Sequence, residues 1–137
     1  MEDNIIDKSK SDQGPLEGNL SFYHAFESLD MRQMESVWAK GNAVGCVHPG
    51  WGLLTGWTAV MKSWSAIFEN TSLMQFRITD AQLHLAGDYA WVVCVENATS
   101  VVSGQVSEFR ILTTNILIRS GELWLMVHHH GSPLYES

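Results

Sequence analysis

Tyr89-Ala90-Trp91-Val92-Val93-Cys94-Val95-Glu96-Asn97-Ala98-Thr99-Ser100-Val101-Val102 is the stretch that decides the fold of this chain. It is rich in β-branched and aromatic residues, contains no proline, and alternates as a pleated strand does. Working outward, Ser103-Gly104-Gln105 separates it from a second such run over 106–119. Ala86-Gly87-Asp88 precedes it, with a run over 73–85 before that, and Ser120-Gly121-Glu122 leads into a fourth run over 123–130. Four long runs joined by glycine turns predict an antiparallel meander. Strands of a dozen or more residues exceed the usual five or six, so the sheet must curl around something.

The first half supplies what it curls around. Leu20, Phe22, Tyr23, Phe26 and Leu29 recur at helical spacing. Asp30 is placed to cap a second helix carrying Met31, Met34, Val37 and Trp38, which Gly41-Asn42 stops. A short strand over 43–48 follows. Thr55 is then placed to cap a third helix, with Val60, Met61, Trp64, Ile67 and Phe68 on one face as far as Asn70. The expected fold class is α+β: three N-terminal helices packed on a strongly curved antiparallel sheet, together a cone.

The 137 residues suffice for one domain with a single core and no need of staples. Residues 1–18 are polar and read as a flexible N-terminal tail, leaving 19–137 as the domain. Fifteen acidic residues against eight basic ones give a net charge of −7, which opposes a phosphate backbone, so no nucleic-acid partner is expected. No run has the length of a membrane span or the form of a signal peptide, so the expectation is a cytoplasmic protein with no membrane partner. Cys46 and Cys94 sit in apolar runs without metal or disulfide spacing and read as buried thiols.

Val47-His48-Pro49-Gly50-Trp51-Gly52 is poor core material, since it sets an imidazole and a turn beside two glycines. It reads as a pocket wall, or more plainly as a turn that the histidine helps to close. A second histidine segment, Trp124-Leu125-Met126-Val127-His128-His129-His130, lies at the far end of the chain. In an unbroken strand His128 and His130 share the face of Trp124 and Met126, while His129 points the other way. The pair would then border a pocket beside His48, complete a three-imidazole metal site with it, or bond backbone carbonyls at the sheet's end. No carboxylate is placed to orient the imidazoles, and no metal or cofactor is expected. Six tryptophans are more than such a core needs. Trp51 and Trp57 flank the turn and read as pocket walls; Trp38 and Trp64 lie at core spacing beside it, and Trp124 joins the histidine strand.

In this order of elements, with the His48-Pro49-Gly50 turn, Gly56 before the third helix and the closing Gly121-Glu122-Leu123-Trp124…His128-His129-His130-Gly131-Ser132, the chain resembles the nuclear-transport-factor-2-like (NTF2-like) superfamily, in its SnoaL-like and ketosteroid-isomerase-like branch. The resemblance implies a general base at the residue before the turn proline, here His48, which would shuttle a proton. It implies an oxyanion donor on the first helix, for which Tyr23 stands nearest, and a second donor at the position held by Asn115. Asp80, Glu96 and Glu108 are isolated strand acids that would be orienting partners or, more simply, solvated charges.

Two functions follow as expectations. One is a cofactor-independent isomerase, dehydratase or cyclase acting on a small apolar carbonyl compound. The other is a non-catalytic module for ligand binding or association. Under either, runs apolar on both faces imply a homodimer through the outer sheet.

Overall fold

The computed structural model describes the backbone of residues 2–135 and the side chains of residues 14–135. Three helices lie in the first half: α1 (Glu2–Ser28), α2 (Met31–Ser36) and α3 (Trp57–Glu69). Between the second and third run two short strands, β1 (Gly45–Val47) and β2 (Leu54–Thr55). The meander follows as β3 (Leu73–Ala86), β4 (Tyr89–Val102), β5 (Gln105–Ser120) and β6 (Leu123–Pro133). All form one open six-stranded sheet in the order β2-β1-β6-β5-β4-β3. Among the described residues no helix is long and apolar enough to cross a membrane.

α1 starts earlier than its apolar pattern suggests. Gly14 to Gly18, expected in the tail, are helical and lie on β6, where Gly14 and Gly18 leave room for Trp124. Side chains of the earlier tail residues lie outside the described part. The inward stripe of α1 runs through Pro15, Asn19, Phe22, Tyr23 and Phe26, so the polar Asn19 rather than Leu20 faces the core. Leu29 ends the helix in the left-handed region at φ 53°. Asp30 caps α2 as expected, its carboxylate accepting from the Arg32 N–H at 2.9 Å. At α3 the cap position is Gly56, with φ 88°, rather than Thr55, which belongs to β2.

The meander turns need positive φ, and Ser103-Gly104 supplies it twice, at 51° and 76°, as a two-residue hairpin does. The long strands pair antiparallel, but β1 joins β6 in parallel, with Gly45, Cys46 and Val47 opposite His128, His129 and His130. This pairing is how two histidine segments more than 80 residues apart meet. Gly131 lets the turn close onto β6: a Cβ there would stand 3.3 Å from Pro49 Cγ. Helices and the inner sheet face enclose a core built around Phe22, Tyr23, Met34, Trp38, Trp64, Leu117 and Met126. Cys46 and Cys94 are free thiols buried in it.

Candidate active site

His48 follows the last residue of β1. Its carbonyl accepts from the Trp51 N–H at 2.8 Å, and Gly50 takes φ 82°, so His48-Pro49-Gly50-Trp51 is a type II turn closed by backbone alone. The imidazole is therefore free to turn inward, where it is 3 % exposed. Trp64 meets it edge-on at 4.6 Å and Trp51 at 4.8 Å between ring centroids. His48 Nε2 lies 2.9 Å from Ser63 Oγ, whose own proton goes to the Val60 carbonyl at 2.6 Å. That direction fixes the tautomer: Nε2 carries the hydrogen and donates to Ser63, leaving a lone pair on Nδ1. Burial pushes the imidazole pKa down to about 4, so His48 is neutral at neutral pH.

The second cluster is not the one that alternation predicts. Opposite β5, Ile116 pairs with His128 but Leu117 pairs with Met126, so Val127 is an extra residue in β6. This bulge shifts the phase of the strand by one. Met126 and His129 face inward, both buried, while His128 and His130 stand on the outer face, 6.1 Å apart between ring centroids. His48 and His129 meet at 6.5 Å, and the expected convergence of His48 with His128 and His130 does not occur. Among the described residues no group of three metal-ligating side chains forms.

Behind His129 lies a directed hydrogen-bond chain. His129 Nδ1 donates to Asn115 Oδ1 at 2.6 Å, and Asn115 Nδ2 donates to Asn19 Oδ1 at 2.8 Å and to the Tyr23 hydroxyl at 3.1 Å. Tyr23 in turn donates to Glu96 Oε2 at 2.6 Å. Glu96, at an inward position of β4, is the site residue whose place the sequence left open, and it is only 4 % exposed. Burial pushes its carboxyl up to about 7, against the opposing pull of the Tyr23 and Thr113 hydroxyls. Burial and then the Glu96 charge hold Tyr23 well above the ordinary tyrosine range. Burial likewise keeps the thiols protonated, Cys46 up to about 12 and Cys94 up to about 11. It also holds His129 well below the ordinary histidine range.

A cavity of about 310 Å³ opens beside this cluster, at the small end of small-molecule sites. Phe26, Trp51, Met74, Phe76 and Ile111 form much of its apolar wall, and its polar groups are His48, Thr71, Glu96, Ser100 and His129. Among the described residues no lysine or arginine lines it.

The residues singled out from sequence divide accordingly. His48 and Trp51 line the cavity, and Trp64 backs His48 from the core. Tyr23 and Asn115 stand behind Glu96 and His129 rather than on the cavity wall, with their donors turned to one another and to Glu96. Trp38 is core, its indole N–H directed at Met34 Sδ. Trp57 lies away from the cavity under Lys40, and Trp124 packs on α1. His128 and His130 are excluded by the Val127 bulge.

Residues 17–136 match the family model of the SnoaL-like domain. Among solved structures, a candidate dehydratase from the NTF2-like family from Streptomyces avermitilis is similar at a TM-score of 0.87 and 32 % identity, over 94 % of this chain and 99 % of its own. A candidate calcium/calmodulin-dependent protein kinase type II association domain from Thiobacillus denitrificans is similar at a TM-score of 0.75 and 29 % identity, over 88 % of this chain and 95 % of its own. Among curated proteins, the F-box protein SKIP8 of Arabidopsis thaliana is 26 % identical over 114 residues, which are 83 % of this chain and 47 % of that protein. The chain thus spans about half the length of that relative.

Proposed function

Because this chain belongs to the SnoaL-like domain family, we propose that it is a cofactor-independent isomerase, dehydratase or cyclase for a small, uncharged, largely apolar carbonyl compound, with His48 as proton shuttle. The observation that carries this reading is a neutral imidazole on the wall of an apolar cavity, its Nε2–H pinned by Ser63 and its Nδ1 lone pair met, among the described residues, only by the Cys46 thiol at 3.9 Å, a weak donor. A base must be unprotonated and held in one orientation, and burial with the Ser63 contact meets both needs. The same burial makes imidazolium costly, so the proton that His48 takes is readily returned. Lack of a lining cation argues against a carboxylate or phosphate substrate.

Proton abstraction is measurable without the physiological substrate, by NMR of hydrogen–deuterium exchange at the carbon next to the carbonyl in a panel of neutral cyclic ketones. The expected result is protein-accelerated exchange that His48→Ala lowers by about 100-fold or more, the usual scale for a positioned base. A rate within a few-fold of wild type removes His48 from the mechanism.

One observation favours a second reading, ligand binding without turnover. The Tyr23 and Asn115 donors are spent on Glu96 and on each other, so neither points at a substrate oxygen in the way an oxyanion site requires. That reading predicts saturable binding of the same ketones with no exchange above solvent.

A further inference from the structure

The hydrogens on the cavity's polar groups are largely committed elsewhere. His48 gives its Nε2–H to Ser63 and His129 its Nδ1–H to Asn115. Thr71 gives its hydroxyl proton to the Ile67 carbonyl at 2.6 Å. Glu96 receives the Tyr23 hydroxyl on Oε2 and feels the Thr113 hydroxyl as well, and a carboxylate, with about four lone-pair sites, keeps accepting capacity beyond these. The residues of this wall thus bring three acceptors, the Glu96 carboxylate, His48 Nδ1 with the Cys46 thiol 3.9 Å away, and His129 Nε2. Ser100 is the one buried hydroxyl on it able to serve in either sense. The indole of Trp51, the other lining donor, stands half exposed at the rim.

Such a wall sets the polarity of its occupant. A ligand that offers only a carbonyl oxygen would find Ser100 and the rim indole of Trp51 as donors but leave the three acceptors unpaired, and an anionic ligand would meet a carboxyl with no lysine or arginine among the described lining residues. A ligand that brings its own hydrogen satisfies the wall. We propose that the cavity selects a neutral one- or two-ring compound bearing a free hydroxyl of phenol or enol type, and that Glu96, held by Tyr23, is the residue that accepts this hydroxyl. This rests on the pocket reading above and narrows its substrate class: the carbonyl compound also carries a donor. The directed chain from His129 through Asn115 and Tyr23 makes Glu96 a fixed acceptor rather than a wandering one. The apolar walls take up the ring.

The test compares 2-naphthol with 2-methoxynaphthalene, two neutral arenes of nearly equal shape of which only the first can donate, binding each to the whole chain by titration calorimetry. Naphthol is expected to bind at least about tenfold more tightly, because the methyl ether leaves a buried charged acceptor without the hydrogen bond that naphthol gives it. The ratio should rise as pH passes upward through about 7, where the Glu96 carboxyl loses its proton. In Glu96→Gln the ratio should fall to about twofold and lose its pH dependence. Equal binding of the two arenes by the wild-type protein overturns the proposal without any variant having to fold. So does a naphthol preference that survives unchanged in folded Glu96→Gln, or failure of both arenes to bind. Naphthol selectivity with no ketone exchange at any pH would instead sink the catalytic reading and leave this one standing.

Discussion

Glu96→Gln should change the pH dependence of stability in a direction opposite to that of most salt-bridged acids. In the unfolded chain the carboxyl ionises at its ordinary value of 4.5, whereas in the fold it does so at about 7. Between those values the folded state keeps a proton that the unfolded state has released, so rising pH favours unfolding. At about 1.4 kcal/mol per pH unit the penalty accumulates to about 3 kcal/mol by pH 8 and is absent below the unfolded value. The wild-type profile alone hides this step. His48 falls from 6.5 to about 4 on folding, which takes stability away as pH drops through the same window. The difference between variant and wild type isolates the acid, because His48 is common to both. Urea unfolding at about pH 4.5, 6 and 8 should show Gln gaining on Glu by about 3 kcal/mol from the lowest pH to the highest, on top of a constant offset from the altered Tyr23 contact. A difference that stays flat with pH, or that grows toward acid, would refute the assignment of Glu96 as a buried, unpaired-by-cation carboxyl.

Two further outcomes follow. Gly18→Ala should cost about 1–3 kcal/mol, although alanine is the better helix former, because its Cβ would fall 2.5 Å from the Trp124 carbonyl and 3.0 Å from Leu117 Cδ2; a raised denaturation midpoint would contradict that packing. We also propose that a second copy covers the outer sheet face, where Trp91 and Leu112 are 38 % and 44 % exposed beside Ile116 and Ile118. Sedimentation should give twice the 15.3 kDa chain mass and Leu112→Lys the single chain, while a wild-type monomer at micromolar concentration would dispose of the idea.

The elements with strong periodicity were legible from the residues. β4 spans the same fourteen residues that its alternation marks, and the other long strands differ by a few residues at their ends. Asp30 is the cap that its position promises. Three features were hidden, each for a physical reason. The parallel docking of β1 on β6 depends on a contact between distant segments, which no local pattern encodes. Glu96 could not be assigned a face because both parities of β4 are apolar: Ala90, Val92, Cys94 and Ala98 on one side, Trp91, Val93, Val95 and Val101 on the other. Its shared parity with the small residues was the available signal, since large outward residues leave the small side for a crowded interior. The Val127 bulge has no glycine to announce it, and the alternation of β6 reads through it unbroken. Tyr23 and Asn115 were expected, from the resemblance, as oxyanion donors; they meet each other in the core, and the direction of their hydrogens follows from Glu96 and was invisible without it.

The bulge bears on how this cavity can change over many generations. Adding or deleting a single residue near Val127 would slide the end of β6 by one place and exchange its two faces. In most strands such an edit would swap a polar group for a greasy one and wreck the interior. Here three imidazoles stand in a row, at 128, 129 and 130, so either slip still delivers a histidine to the position beside His48. The run therefore guards the chemistry of the wall and not its packing: either slip would also bring a side chain to the place of Gly131, where a Cβ would stand 2.9 Å from Ile111 Cγ2 and 3.3 Å from Pro49 Cγ.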